Sequence, residues 1–105
     1  MVNADRLVKL FMEMVEVSSV SGHEGAFRDF LKNHFAERGL QCEEDDAGKL
    51  LGGDSGNLLI RAAGTRDTRS IMFLNHMDTV VPGQGIKAVL GEDGVIRSAG
   101  ATILG

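Results

Sequence analysis

The stretch Ser70-Ile71-Met72-Phe73-Leu74-Asn75-His76-Met77-Asp78-Thr79-Val80-Val81-Pro82-Gly83 decides how the chain is read. Its first half is the most apolar short run in the sequence, with four consecutive large uncharged side chains. The run is short and does not alternate, so it predicts a strand buried on both faces, as at the centre of a parallel sheet. Pro82-Gly83 then turns the chain. Ligands in open α/β sheets gather beyond the carboxyl ends of the strands, which is where His76 and Asp78 fall. Side chains alternate along a strand, so an extended backbone through Asp78 points both residues to one side. A carboxylate beside an imidazole has two uses. It can accept one ring N–H and fix the tautomer of a metal ligand, or it can orient a general base as in hydrolytic triads. Next to a hidden strand, either group is costly to desolvate unless it is paired or bound.

Two helices are predicted ahead of this run. Asn3 is placed to cap the first, from about Ala4, whose apolar face is Leu7, Leu10, Phe11, Met14 and Val15. The loop Ser18 to Gly25 leads into the second, where Ser21 and Glu24 fit the S-x-x-E capping box. Its apolar face is Ala26, Phe27, Phe30, Leu31, His34 and Phe35, and Gly39 is the expected left-handed terminator. Leu40 to Ala47 is a strand expectation, Gly48 to Gly56 a glycine-rich loop and Asn57 to Ala62 a further strand. Ala88-Val89-Leu90 and Val95-Ile96-Arg97 flank Gly91-Glu92-Asp93-Gly94, a hairpin signal. The fold class is therefore α/β, two helices followed by a mixed β-sheet. Only one face of that sheet has a cover, so the layer architecture is expected to be incomplete.

The chain has 105 residues, 43% of them hydrophobic, with 11 Lys and Arg against 15 Asp and Glu for a net charge of −4. This acidic balance argues against nucleic acid or an anionic membrane as partner. Trp and Tyr are absent, which removes a base-stacking platform. One cysteine, Cys42, excludes an internal disulfide and a thiol-rich zinc site. No apolar run approaches the length of a membrane helix, and Asp5, Arg6 and Lys9 interrupt any signal-peptide pattern. The expected setting is the cytoplasm. Gly83-x-Gly85 lacks the rest of a dinucleotide fingerprint, and no serine sits in a G-x-S-x-G elbow. The acidic run Glu43 to Asp46 has no EF-hand spacing and reads as a solvated strand edge. His23 reads as an exposed helix-start residue and His34 as a packing residue.

Four segments, in order, carry a resemblance to a known family: Ser18-Ser19-Val20-Ser21-Gly22-His23-Glu24, Asp54-Ser55-Gly56-Asn57-Leu58, His76 to Gly83, and Gly94 to Ser98 leading to Thr102-Ile103-Leu104-Gly105. The chain resembles the M20 di-zinc metallopeptidases, closest to the peptidase T-like tripeptide aminopeptidases, over nearly its whole length. The resemblance implies the N-terminal part of a zinc-peptidase-like three-layer fold, with residues 1–105 a partial catalytic domain. His76 matches the first zinc ligand, and Asp78 the active-site acid that hydrogen-bonds its imidazole. In such enzymes two zinc ions share a bridging aspartate and activate a water, with a downstream glutamate as general base. The family's Ala-Asp-Asp segment with that aspartate follows the position of Gly105, and Ala99-Gly100-Ala101 stands where Asp-Gly-Thr is expected. The implied function is the N-terminal segment of a zinc aminopeptidase for short peptides, inactive in isolation and binding zinc weakly or not at all. The alternative is a non-catalytic remnant or interaction module associating through its open sheet. The partners implied are a short peptide in the intact enzyme, and either a C-terminal segment or a second copy.

Overall fold

A computed structural model describes all of residues 1–105. Its elements run α1 (Ala4–Glu16), α2 (Gly25–Ala36), β1 (Cys42–Glu44), α3 (Ala47–Leu51), β2 (Leu58–Ile60), β3 (Ala88–Leu90) and β4 (Ile96–Ser98). The strands form two separate antiparallel pairs. β1 pairs with β2, Cys42 opposite Ile60, and β3 pairs with β4, Ala88 opposite Ser98. α2 packs on β1 and α1 on β3, so each helix serves its own strand pair. The result is a small α/β unit of three helices and short antiparallel strands.

The helix ends follow the side-chain chemistry. Asn3 Oδ1 accepts the Arg6 N–H at 2.9 Å, as a capping residue should. α2 stops at Ala36, and Gly39, at φ 72°, donates its N–H to the Ala36 carbonyl at 2.9 Å. Its N-terminus departs from the expected capping box. Glu24 is the capping position, its Oε1 accepts the Gly22 N–H at 2.8 Å, and the Ser21 hydroxyl is engaged elsewhere. The expected hairpin forms, with the Gly91 N–H donated to the Val95 carbonyl at 2.9 Å.

Two further expectations need correction. The Gly48 to Gly56 loop begins instead as α3, closed by Gly52 at φ 75°. Ala47, Lys49, Leu50 and Leu51 are good helix formers. Gly48 suits this helix because it lies against the Ser55 and Gly56 backbone, where a Cβ has no room.

The larger correction concerns Ser70 to Asn75. It is neither a strand nor buried: Ile71, Met72, Phe73 and Leu74 are 81, 71, 84 and 81% exposed. Residues 69–78 make no backbone–backbone hydrogen bond. The physical reason is that a central strand needs a partner on each side, and no segment of this chain lies alongside the run to hydrogen-bond it. The molecule is a slab of 46 × 41 × 22 Å with a radius of gyration of 15.6 Å, wider than the ~13 Å typical of its length. Seven residues are buried, and Phe27 and Ile86 are the only large apolar ones among them. No helix is long and apolar enough to cross a membrane.

Candidate metal-ligand site

The α1–α2 loop holds the segment that carries His76 and Asp78. Val20 and Thr79 form an isolated parallel bridge, the one place where the 70–83 stretch behaves as a strand. The Thr79 N–H donates to the Ser19 carbonyl at 2.7 Å, and the Thr79 hydroxyl to the same oxygen at 3.3 Å. Ser19, only 2% exposed, donates its hydroxyl to the Met77 carbonyl at 2.7 Å. Beyond the bridge, the Val81–Pro82 peptide is cis, and the Pro82 carbonyl accepts the Ile103 N–H at 2.9 Å. Gly83 is buried in this turn, where a Cβ would stand 2.5 Å from the Val80 carbonyl oxygen.

His76 and Asp78 meet as the spacing predicts. His76 Nδ1 lies 3.1 Å from Asp78 Oδ1 and 2.8 Å from the Asp78 carbonyl oxygen. Both partners are acceptors, so Nδ1 carries the proton, and Nε2 of the neutral ring keeps its lone pair. Nε2 has no partner, and the side chain is 84% exposed. The other oxygen of the carboxylate, Asp78 Oδ2, accepts the Ser21 hydroxyl at 2.5 Å. That hydrogen bond holds the Asp78 carboxyl below its ordinary pKa. The His76 contact acts in the same direction, and partial desolvation opposes both. The arrangement is a ligand-type imidazole with its tautomer set by a carboxylate, and the carboxylate is itself held by a hydroxyl.

The remaining candidates have other employment. His34 stacks on Phe30 at 6.1 Å and meets Phe35 edge-on at 5.6 Å, a packing role. His23 is exposed in the loop. Glu44 pairs with Lys32 at 2.5 Å and Arg28 at 3.4 Å and accepts the Gly56 N–H at 3.0 Å. Asp45 accepts the Asn57 N–H and Nδ2, each at 2.8 Å. These acids fasten 53–57 to β1 and α2. Asp54 ties that segment to the site loop, with Oδ1 accepting the Gly25 N–H at 2.8 Å and its own N–H donated to the Gly22 carbonyl at 3.3 Å.

Sequence reasoning missed Ser19 and Ser21 as partners of the His-Asp segment. The signal was present in Ser19-Val20-Ser21, two hydroxyls at alternate positions, which share one side of an extended chain. The capping-box pattern concealed it. As for a zinc ion, a stable site takes three or more protein ligands. His76, with Nδ1 occupied and Nε2 free, fits one such position. No group of three or more His, Cys, Asp or Glu side chains in the chain could hold an ion. The chain therefore offers one candidate ligand position and not a whole site.

No protein-family model matches the sequence. An uncharacterised protein of Bacillus subtilis, YqjE, is 43% identical over 105 residues, all of this chain and 28% of the relative. A [LysW]-lysine hydrolase of Deinococcus radiodurans is 33% identical over 93 residues, 89% of this chain and 22% of the relative. The crystal structure of aminopeptidase PepT from Bacillus cereus superposes with a TM-score of 0.91 at 43% identity, over 99% of this chain and 28% of that one. A tripeptidase from Staphylococcus aureus superposes with a TM-score of 0.92 at 36% identity, over the same shares. The chain thus spans less than a third of the length of the proteins it matches. At these identities and over almost every residue, sequence and backbone agree: the chain is similar to the N-terminal part of M20 peptidases of the PepT and tripeptidase kind.

Proposed function

We propose that these residues are the ligand-bearing N-terminal segment of a zinc-dependent aminopeptidase acting on short peptides, and that they do not hydrolyse peptides by themselves. One observation carries the reading: the His76 ring has Nδ1 tied to Asp78 and Nε2 free and exposed. In this reading His76 holds a zinc ion through Nε2, and Asp78 orients the ring and keeps the lone pair on the outer nitrogen. Zinc, when bound, supplies a water activated at neutral pH and polarises the substrate carbonyl. Ser19 and Thr79 keep the segment in register with the α1–α2 loop. The free thiol of Cys42 and the net charge of −4 agree with a cytoplasmic protein that binds neither nucleic acid nor an anionic membrane.

The test is a chimera in which this segment replaces the matching 28% of the Bacillus cereus aminopeptidase. It should bind zinc and release amino acids from a tripeptide. His76→Ala should lower both by more than about a hundredfold. Retention of full zinc content and activity by that variant would overturn the ligand role. In the 105-residue chain alone, added zinc should broaden the His76 ring signals in NMR spectra at millimolar concentration and leave tripeptide intact. Turnover at ordinary enzyme rates would contradict the missing-ligand reasoning.

A second reading has an observation of its own. The run Ile71 to Leu74 is apolar, exposed and unpaired along its backbone, which suits an interaction module that associates with a second copy through this segment. Light scattering showing a monomer at high concentration would remove it.

A further inference from the structure

We infer that Ser21 is a positioning residue of the His76 site, acting through Asp78, with the α1–α2 loop as its rigid mount; this rests on the ligand reading of His76. The Ser21 hydroxyl donates to Asp78 Oδ2 at 2.5 Å, while Asp78 Oδ1 faces His76 Nδ1 at 3.1 Å. One carboxylate therefore bridges the two side chains. A carboxylate on a short side chain is free to rotate, and a donor on its second oxygen removes that freedom. With Oδ2 anchored, Oδ1 stays in reach of Nδ1, and the proton on Nδ1 leaves Nε2 as the ligating nitrogen.

The mount is what separates this from a chance surface contact. Ser21 sits two residues from Ser19, whose buried hydroxyl and carbonyl grip Met77 and Thr79 on either side of Asp78. Behind Ser21 the loop is tied down four times. The His23 N–H donates to the Val20 carbonyl at 2.8 Å, and the Gly22 N–H to Glu24 Oε1 at 2.8 Å. Asp54 takes the Gly25 N–H at 2.8 Å and gives its own N–H to the Gly22 carbonyl at 3.3 Å. Gly22 adopts φ 82°, a turn that brings the hydroxyl of Ser21 toward the 76–79 segment instead of over the start of α2. The S-x-x-E pattern, which at sequence level reads only as a helix cap, thus serves the site: the serine faces the carboxylate and the glutamate holds the loop.

The tautomer of His76 in the metal-free 105-residue chain is the readout, measured from ring nitrogen shifts by NMR at about pH 9, where imidazoles are neutral. Ser21→Ala should lower the ratio of Nδ1–H to Nε2–H forms about fivefold, the worth of one net hydrogen bond. Ser21→Thr, which keeps the hydroxyl, should stay within about twofold of the unaltered chain. Ser21 is exposed, so neither change disturbs packing, and amide shifts in α1 and α2 should hold. In the unaltered chain the Asp78 carboxylate carbon should show a deuterium isotope shift from the Ser21 hydroxyl. An unchanged ratio in Ser21→Ala, an equal loss in Ser21→Thr, or the absence of that isotope shift would each overturn the role of Ser21. None of these measurements involves zinc. A failed chimera test on His76 would therefore remove the ligand reading while leaving the hydroxyl–carboxylate–imidazole relay standing, and the reverse also holds.

Discussion

Replacing Gly48 by alanine sets two physical effects against each other, and the structure says which wins. Gly48 lies inside α3, where alanine is favoured over glycine by about 1 kcal/mol. On propensity alone the change stabilises. A Cβ at this position, however, would overlap the Ser55 carbonyl group and stand 3.0 Å from the Gly56 nitrogen. These are backbone atoms and cannot swing aside as a side-chain tip can. Relief requires lifting α3 off residues 55–56, which are held by the Gly56 N–H to Glu44 at 3.0 Å and the Asn57 N–H to Asp45 at 2.8 Å. Overpacking of this kind costs about 1–3 kcal/mol, and each hydrogen bond stretched in the process adds about 1 kcal/mol. The gross cost is about 3 kcal/mol, so the net loss is about 2 kcal/mol, or roughly thirtyfold in the folding equilibrium. Urea titration followed by far-ultraviolet circular dichroism measures it. A Gly48→Ala chain with a higher midpoint and an unchanged slope would refute the packing reasoning and leave helix propensity in command. Gly22→Ala is the control: its Cβ meets nothing within 4 Å, and only the positive φ of 82° resists it, at a cost of about 1 kcal/mol.

Three further outcomes are expected. Asp78→Asn in the chimera should weaken zinc binding about 10- to 100-fold, the usual effect of losing a ligand's orienting partner, with circular dichroism unchanged; equal affinity would deny Asp78 its role. The Lys32 ammonium first, then the Gly56 N–H and the Arg28 guanidinium, hold the Glu44 carboxyl below its ordinary value of 4.5. A depressed folded-state pKa contributes stability above that value and loses it as pH falls through the folded one. Glu44→Gln should thus cost about 1 kcal/mol at neutral pH and flatten the acid limb of a stability-against-pH curve; an unaltered acid limb would assign acid sensitivity elsewhere. Finally, Phe73→Asp with Ile71→Asp should cut the binding of an apolar fluorescent dye at least about twofold and lower light scattering at high concentration, while circular dichroism stays the same, because both side chains are more than 80% exposed. Unchanged dye binding and scattering would place the sticky surface outside 71–74.

How legible each part was depended on whether its cause was local. The cap at Asn3, the left-handed Gly39 and the turn between β3 and β4 depend on a handful of adjacent residues, and all three form as the sequence predicts. So does the approach of His76 to Asp78, since two residues of extended chain suffice to bring them together. Ile71 to Leu74 is the opposite case. Its composition predicts a strand covered on both faces and the structure shows an exposed, unpaired run, because cover is a property of neighbours and no segment of this chain pairs with it. Gly48 departs from its expected loop for a related reason. Glycine suggested a loop, whereas its purpose is the close approach of Ser55 and Gly56, a contact invisible to any local rule. Ser21 fits a strong local capping pattern, yet Asp78, 57 residues away, takes the same hydroxyl.

The polar wiring of the site and the apolar packing of the chain differ in how complete they are. Ser19 reaches Met77, Ser21 reaches Asp78 and Thr79 reaches Ser19 across 57 to 60 residues of sequence, and every buried side-chain polar atom has a partner. The apolar side of the account is thin, with Phe27 and Ile86 the only large buried side chains. The geometry around His76 is therefore set by hydrogen bonds and not by a core. Hydrogen bonds open to water contribute little each, because solvent competes for the same donors and acceptors. Removing that water strengthens each contact without moving an atom. A layer placed over the Ile71 to Leu74 face would bury the largest contiguous apolar run and lower the dielectric beside Asp78 in the same act. Covering that run would therefore strengthen the hydrogen bonds that orient the His76 ring.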